Sequence, residues 1–171
     1  MLYTAAADAF VGCLNAKYNF SFWRPITAIR NGNIDGNSKT VADPNWTALA
    51  ATPNHPEYPA AHGCVTGAVA STLKGFFGNP HLTFVVTSSV TGTTHTFTNT
   101  HDLENEVEWA RIYAGFHYHH SVVQGFVLGH KVSNQVLTKF FQPVDKQSER
   151  RDRDAEDVVG GATTAREGRD E

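Results

Sequence analysis

Arginine is scarce in the first 144 residues of this 171-residue sequence, and two of its three arginines there stand among aromatic residues. Arg24 lies in FSFWRP and Arg111 in EWARIYAGF, while Lys17 precedes Arg24 by seven positions. A charge set in apolar sequence is costly to bury unless something neutralises it. An internal anion does so: a guanidinium donates two parallel hydrogen bonds to a tetrahedral oxyanion, and a lysine adds a point charge. Taken singly, each cation reads more readily as a surface side chain whose stem covers apolar neighbours, or as the partner of a nearby glutamate. The histidines fall into two groups. His62 ends the proline-stiffened loop HPEYPAAH and opens a helical pattern, where unpaired backbone N–H groups and the helix dipole favour an anion. His117 follows Arg111 after five residues and, with His119 and His120, forms HYHH, a pattern without an obvious carboxylate partner in sequence for a metal site.

Three motifs occur in order: Lys17 and, after six residues, Arg24-Pro25; then Pro59-Ala60-Ala61-His62; then Arg111 and, after five residues, His117. Together they resemble the three-part signature of vanadium-dependent haloperoxidases and their relatives, the type-2 phosphatidic acid phosphatases and bacterial class A acid phosphatases. The resemblance covers about residues 13–141. It implies that Lys17, Arg24 and Arg111 hold the equatorial oxygens of vanadate or phosphate. His117 would be the axial partner, ligand to vanadium or nucleophile on phosphorus, and His62 the acid–base residue opposite. His55 resembles the second active-site histidine of bromoperoxidases. Three positions depart from the pattern. Pro-Ser-Gly-His is here Pro59-Ala60-Ala61-His62, which leaves the Ala61 N–H as a donor; Ser-Arg is Ala110-Arg111; and Ser121 stands where the phosphatases carry aspartate. A carboxylate there would orient His117 and make it more nucleophilic. The sequence therefore predicts that Ser121→Asp raises phosphate-ester hydrolysis about tenfold, the scale of ~1.4 kcal/mol in a barrier.

The resemblance implies an enzyme with bound vanadate that oxidises halide, bromide before chloride, with hydrogen peroxide, and it accommodates a small organic acceptor and an oligomer. The alternatives are an acid phosphatase acting on bound phosphate through His117 and a non-catalytic oxyanion-binding remnant.

These residues need a scaffold, and the patterning supplies a mostly helical one. The expectation is an all-α helical bundle of the vanadium chloroperoxidase/acid phosphatase type with a β-hairpin insertion near 83–99. Residues 2–16 read as a small-residue helix. A short helix follows the Trp-Arg-Pro step, and Asp43-Pro44 reads as the cap of another. The stretch 52–61 is kept out of helix by its prolines. Val65, Val69, Leu73 and Phe76 give residues 62–77 helical spacing. Residues 102–116 and 121–141 read as the last two helices, with Gly115 ending the first.

Residues 145–171 hold fifteen charged side chains and no aromatic, so they read as a disordered charged tail to a single domain at 1–144. That domain carries eight charges of each sign, which argues against a nucleic-acid surface. No apolar run approaches the ~20 residues of a membrane span, and no basic leader opens the chain. Its first residues read as a helix already under way, so the chain is expected to begin inside a larger domain, leaving apolar faces bare on the helices at 62–77 and 117–141. Cys13 and Cys64 read as buried free thiols.

Overall fold

The structure, a computed structural model, describes residues 1–142. The disordered tail expected at 145–171 lies outside the described residues. Five helices and one hairpin follow in the order α1 (Leu2–Phe20), α2 (Pro25–Arg30), α3 (Ala61–Phe77), β1 (Phe84–Thr87), β2 (Thr94–Phe97), α4 (Thr100–Tyr113) and α5 (His119–Lys139). This is the helical bundle with a hairpin excursion that the patterning predicts.

The centre of the bundle is the α3–α5 pair, and its residues are small for a reason. A Cβ added to Gly63 would lie 2.6 Å from the Val122 carbonyl oxygen, and one added to Gly125 would lie 2.6 Å from that of Ala60. The two backbones therefore touch, with glycine at the points of closest approach. Val122, Phe126 and Ala60 close the seam at one end, and a buried hydrogen bond of 2.9 Å between the Thr72 and Ser133 hydroxyls ties it further along. Helix α1 crosses the pair with Ala5, Ala9, Cys13 and Lys17, one residue per turn, all buried.

Cys13 and Cys64 are joined as a disulfide between α1 and α3, which corrects the expectation of free thiols. Fifty-one positions separate them in sequence, and only the crossing of α1 over α3 brings them together. The bare apolar face also differs from expectation. α3 and α5 bury much of their faces against each other, and α1 carries more exposed large apolar side chains than any other helix, Tyr3, Phe10, Val11 and Tyr18 among them. Phe76 and Phe77 at the end of α3 are exposed as well.

The hairpin pairs antiparallel with Phe84 opposite Phe97, whose rings stack at 5.5 Å, and Phe97 is buried. The helix expected after Asp43 does not form. The Asp43 carboxylate accepts from the Asn45 N–H instead, closing a local turn, and the chain then runs beside the end of α4, where Leu49 N–H donates to the Ala114 carbonyl.

Candidate active site

Helix α1 ends at Ser21, whose left-handed backbone (φ 46°) turns the chain away from the helix axis. Lys17, one turn earlier, points inward and is fully buried. Its ammonium donates to the carbonyls of Pro56 (2.8 Å) and Glu57 (2.9 Å), so it pins the proline loop from beneath. One of its three N–H donors stays available. Burial, then the nearby Arg24 charge, lower its pKa to about 8, against a raising effect from Glu57.

Arg24 caps α2 in extended conformation and is nearly buried. Its Nε donates to the His55 carbonyl at 2.9 Å and one terminal nitrogen to the Phe116 carbonyl at 2.9 Å. The other terminal nitrogen lies 3.1 Å from His55 Nδ1. A guanidinium has only donors, so His55 Nδ1 must accept and the ring is neutral, although the Pro56 carbonyl also lies 3.2 Å from that nitrogen. Burial lowers the His55 pKa, in agreement. His55 thus holds Arg24 in place.

Helix α4 ends at Tyr113, and Gly115 (φ 73°) reverses the chain where a Cβ would strike the Trp46 ring. This reversal carries Phe116 and His117 back toward Arg111. The Arg111 guanidinium carbon lies 4.6 Å from the Phe116 ring centroid, a cation–π arrangement. Phe116 therefore contacts both arginines, one by its ring and one by its carbonyl. Arg111 Nε is buried and has no hydrogen-bond partner among the described residues, a condition shared only by Thr52 Oγ1. A buried unpaired donor on a permanent cation is costly.

His117 is buried beside Glu57, which is itself fully inaccessible. The Glu57 carboxylate accepts three hydrogen bonds: from His117 Nδ1 (2.8 Å), the Tyr118 N–H (3.1 Å) and the Ser121 hydroxyl (2.6 Å). Burial alone would raise the Glu57 pKa, but these donors outweigh it and hold the carboxyl below its ordinary value. For His117 burial is the largest influence and lowers the pKa, against the raising effect of Glu57. A neutral imidazole donating to an ionised carboxylate satisfies both.

His62 stands on the first turn of α3, after the buried Ala60 and Ala61. The Ala60 N–H is taken by the Ser121 carbonyl at 2.9 Å, and Ala61 contributes one of the first-turn N–H groups that have no partner within a helix. His62 is exposed to solvent, yet its pKa falls to about 4. Crowding of its ring nitrogens by the surrounding protein is the largest cause, followed by the electrostatic influence of Arg111, His117, His55 and Lys17. The direction follows from that crowding of positive or protonatable groups alone.

Lys17, Arg24, His55, Ala61, His62, Arg111 and His117 thus come from five separate segments to one region. His119 and His120 do not join them: His119 pairs with Glu108 at 2.8 Å, and His120 stacks on Tyr58. The sequence reading missed Glu57. It sought a carboxylate at position 121 and found serine, but Glu57 occupies that role from the preceding loop, and Ser121 donates to it. The premise for the predicted gain in Ser121→Asp is therefore corrected. The only sequence signal for Glu57 was an acidic residue between two prolines five positions before His62.

Known proteins bear on this arrangement. Residues 1–146 match the family described as the vanadium chloroperoxidase (VCPO) second helical-bundle domain. The chain belongs to this family. A curated relative is the vanadium chloroperoxidase of Curvularia inaequalis, 29% identical over 83 residues, which is 43% of this chain and 13% of that protein. Among solved structures, a bacterial vanadium-dependent iodoperoxidase superposes with a TM-score of 0.71 at 29% identity, covering 85% of this chain and 34% of its own. A bacterial vanadium-dependent chloroperoxidase shares the fold with a TM-score of 0.61 at 18% identity, covering 76% of this chain and 32% of its own. The chain thus spans about a third or less of the length of these relatives. No helix among the described residues is long and apolar enough to cross a membrane.

Proposed function

We propose that this chain binds vanadate between Lys17, Arg24, Arg111 and His117 and, so loaded, oxidises halide with hydrogen peroxide. The observation that carries the reading is Arg111 Nε, a buried cationic donor without a partner, in the region that also holds Lys17, Arg24, His62 and His117. The residues fit an oxyanion. Lys17 keeps one donor free, Arg24 keeps two, and the first-turn N–H of Ala61 adds a neutral one. With Nδ1 bound to Glu57, His117 has its Nε2 lone pair left as a ligand for vanadium. When bound, vanadate supplies the Lewis acid that makes peroxide electrophilic toward halide.

The chain's own part in the reaction is to hold charge and move protons. His62 is neutral at working pH, which makes it a base for the incoming peroxide proton. An anion in the site offsets the cations around His62, so its pKa rises on loading, and the imidazolium can then return the proton to a leaving hydroxide. Arg24 spends three of its donors on Phe116 and His55. The iodoperoxidase relative uses a halide easier to oxidise than bromide or chloride.

A second reading, phosphate-ester hydrolysis with His117 as nucleophile, is favoured by the Glu57–His117 hydrogen bond, an activating carboxylate in place of the one absent at position 121. The test is peroxide-dependent bromination of a reporter phenol by vanadate-loaded protein, with phosphate-ester hydrolysis measured on the vanadate-free form. Bromination that is lost in Arg111→Ala and His117→Ala supports the first reading. Hydrolysis without bromination supports the second. Oxyanion binding with neither activity leaves a binding domain and refutes both.

A further inference from the structure

One densely hydrogen-bonded residue of the site has no role in the sequence signature. Glu57 sits at the crossing of three elements. Its carboxylate takes His117 and Ser121 side chains and the Tyr118 N–H, at the loop leading into α5. Its carbonyl takes Lys17 of α1, and its N–H donates to the Phe22 carbonyl at 3.1 Å, just before Arg24. A fully buried carboxylate hydrogen-bonded to a buried histidine, in a residue whose backbone carbonyl holds a buried lysine, is more than a loop anchor, because its charge acts on both.

We propose that Glu57 is a positioning residue that fixes His117 as the Nδ1–H tautomer and raises the basicity of its Nε2, so that the site's preference for vanadate over phosphate is set from behind the histidine. The inference rests on the oxyanion reading above. Its logic is that the two anions use His117 differently. Phosphate is held by charge and hydrogen bonds alone, and a buried negative charge nearby opposes it. Vanadate is opposed in the same way but also takes the Nε2 lone pair, and a carboxylate hydrogen-bonded to the far nitrogen makes that lone pair a better donor. Lys17, Arg24 and Arg111 against Glu57 leave a net charge of two positive, which a dianion neutralises. Glu57 therefore costs the site some general anion affinity and returns it selectively to an anion that can bond to nitrogen.

Glu57→Gln is the matched probe. The glutamine oxygen can accept from His117 Nδ1 and Tyr118 N, and its amide can donate to a rotated Ser121 hydroxyl, so the contacts survive without the charge. Phosphate affinity by calorimetry and vanadate affinity by vanadium NMR are measured on wild type and variant. The expected result is tighter phosphate binding, with the vanadate-to-phosphate preference falling at least about tenfold, the lower end for loss of a carboxylate behind a metal-bound histidine. Simple structural damage would weaken both anions together, and that result, like an unchanged preference, overturns the proposal. If Glu57→Gln does not fold, Ser121→Ala serves: loss of its hydrogen bond leaves the carboxylate more basic, so the preference should rise or hold, and a fall overturns the proposal. Nitrogen NMR of His117 in the ligand-free protein separates this proposal from the site reading. There Glu57→Gln must lower the His117 pKa while the Nδ1–H tautomer persists, whether or not either anion binds. A wild type that binds neither anion refutes the site reading, and an unshifted His117 refutes the role of Glu57.

Discussion

Placing an aspartate at position 121 is the sharpest test of how this site is built, because the sequence and the structure predict opposite outcomes. Ser121 and Glu57 are both buried, and the serine hydroxyl donates to the carboxylate at 2.6 Å. Ser121→Asp removes a hydrogen bond to a charged acceptor, worth about 1.5–3 kcal/mol. It also sets a second carboxyl against the first, where two negative charges ~4 Å apart repel by about 4 kcal/mol at an effective dielectric of ~20. The pair escapes part of that repulsion by sharing a proton, so a net loss of about 3–5 kcal/mol at neutral pH is expected. The pH dependence carries the signature. In wild type the Glu57 pKa is lowered on folding, so its contribution is present above the unfolded carboxyl pKa and is lost as pH falls. In the variant the folded pair binds a proton that the unfolded chain releases above about pH 4, so its deficit grows as pH rises. Urea unfolding followed by circular dichroism at pH 5 and 7.5 should show the variant falling further below wild type at the higher pH. A variant as stable as wild type at pH 7.5, hydrolysing phosphate esters about tenfold faster, would mean that Glu57 does not occupy the orienting position.

Other outcomes follow from the same geometry. Gly125→Ala drives a methyl to 2.6 Å from the Ala60 carbonyl and should cost about 1–3 kcal/mol or more by thermal unfolding; an unchanged midpoint would mean that the α3–α5 backbones are not in contact. Phosphate binding near pH 5.5 should take up protons, because the anion raises the His62 pKa from about 4 toward its ordinary value; calorimetry in two buffers of different ionisation heat detects this, and His62→Gln should abolish most of it. Anion affinity should fall above about pH 8 as Lys17 loses its proton, a decline that Lys17→Arg should move to higher pH. Reducing the Cys13–Cys64 disulfide should lower stability by about 4 kcal/mol on the chain-entropy estimate for a loop of this length, read as a lower unfolding midpoint in dithiothreitol.

The parts of this molecule that could be read from sequence were those with a period or a motif. Residues 62–77 show their helix because apolar positions recur at helical spacing, and Thr-rich 83–99 shows its hairpin. Lys17, Arg24, Arg111, His62 and His117 stand out as a set because their order and spacing resemble the three-part signature of the vanadium-dependent haloperoxidases, which residue type alone does not single out. The rest depended on contacts between distant segments. Glu57 is an ordinary surface-type residue until Lys17, His117 and Ser121 close around it. Cys13 and Cys64 become partners only through the crossing of α1 over α3, and Asp43 resembles a cap until its carboxylate bonds two residues ahead. The bare face of α1 was not foreseen, because the expectation of bare faces rested on the start of the chain and not on how Ala5, Ala9 and Cys13 pack.

The glycine seam between α3 and α5 has a bearing on how this site could change. His62 rides on the first turn of one helix, and His117 immediately precedes the other. The distance between those helix ends is set by peptide groups meeting across Gly63 and Gly125, not by side chains that repack. Exchanges of core side chains elsewhere leave that separation untouched, so the bundle can drift in sequence while the histidines keep their spacing. New substrate preferences are then open mainly to the loops at 21–24 and 52–60, which can vary while the seam between the two helices is kept.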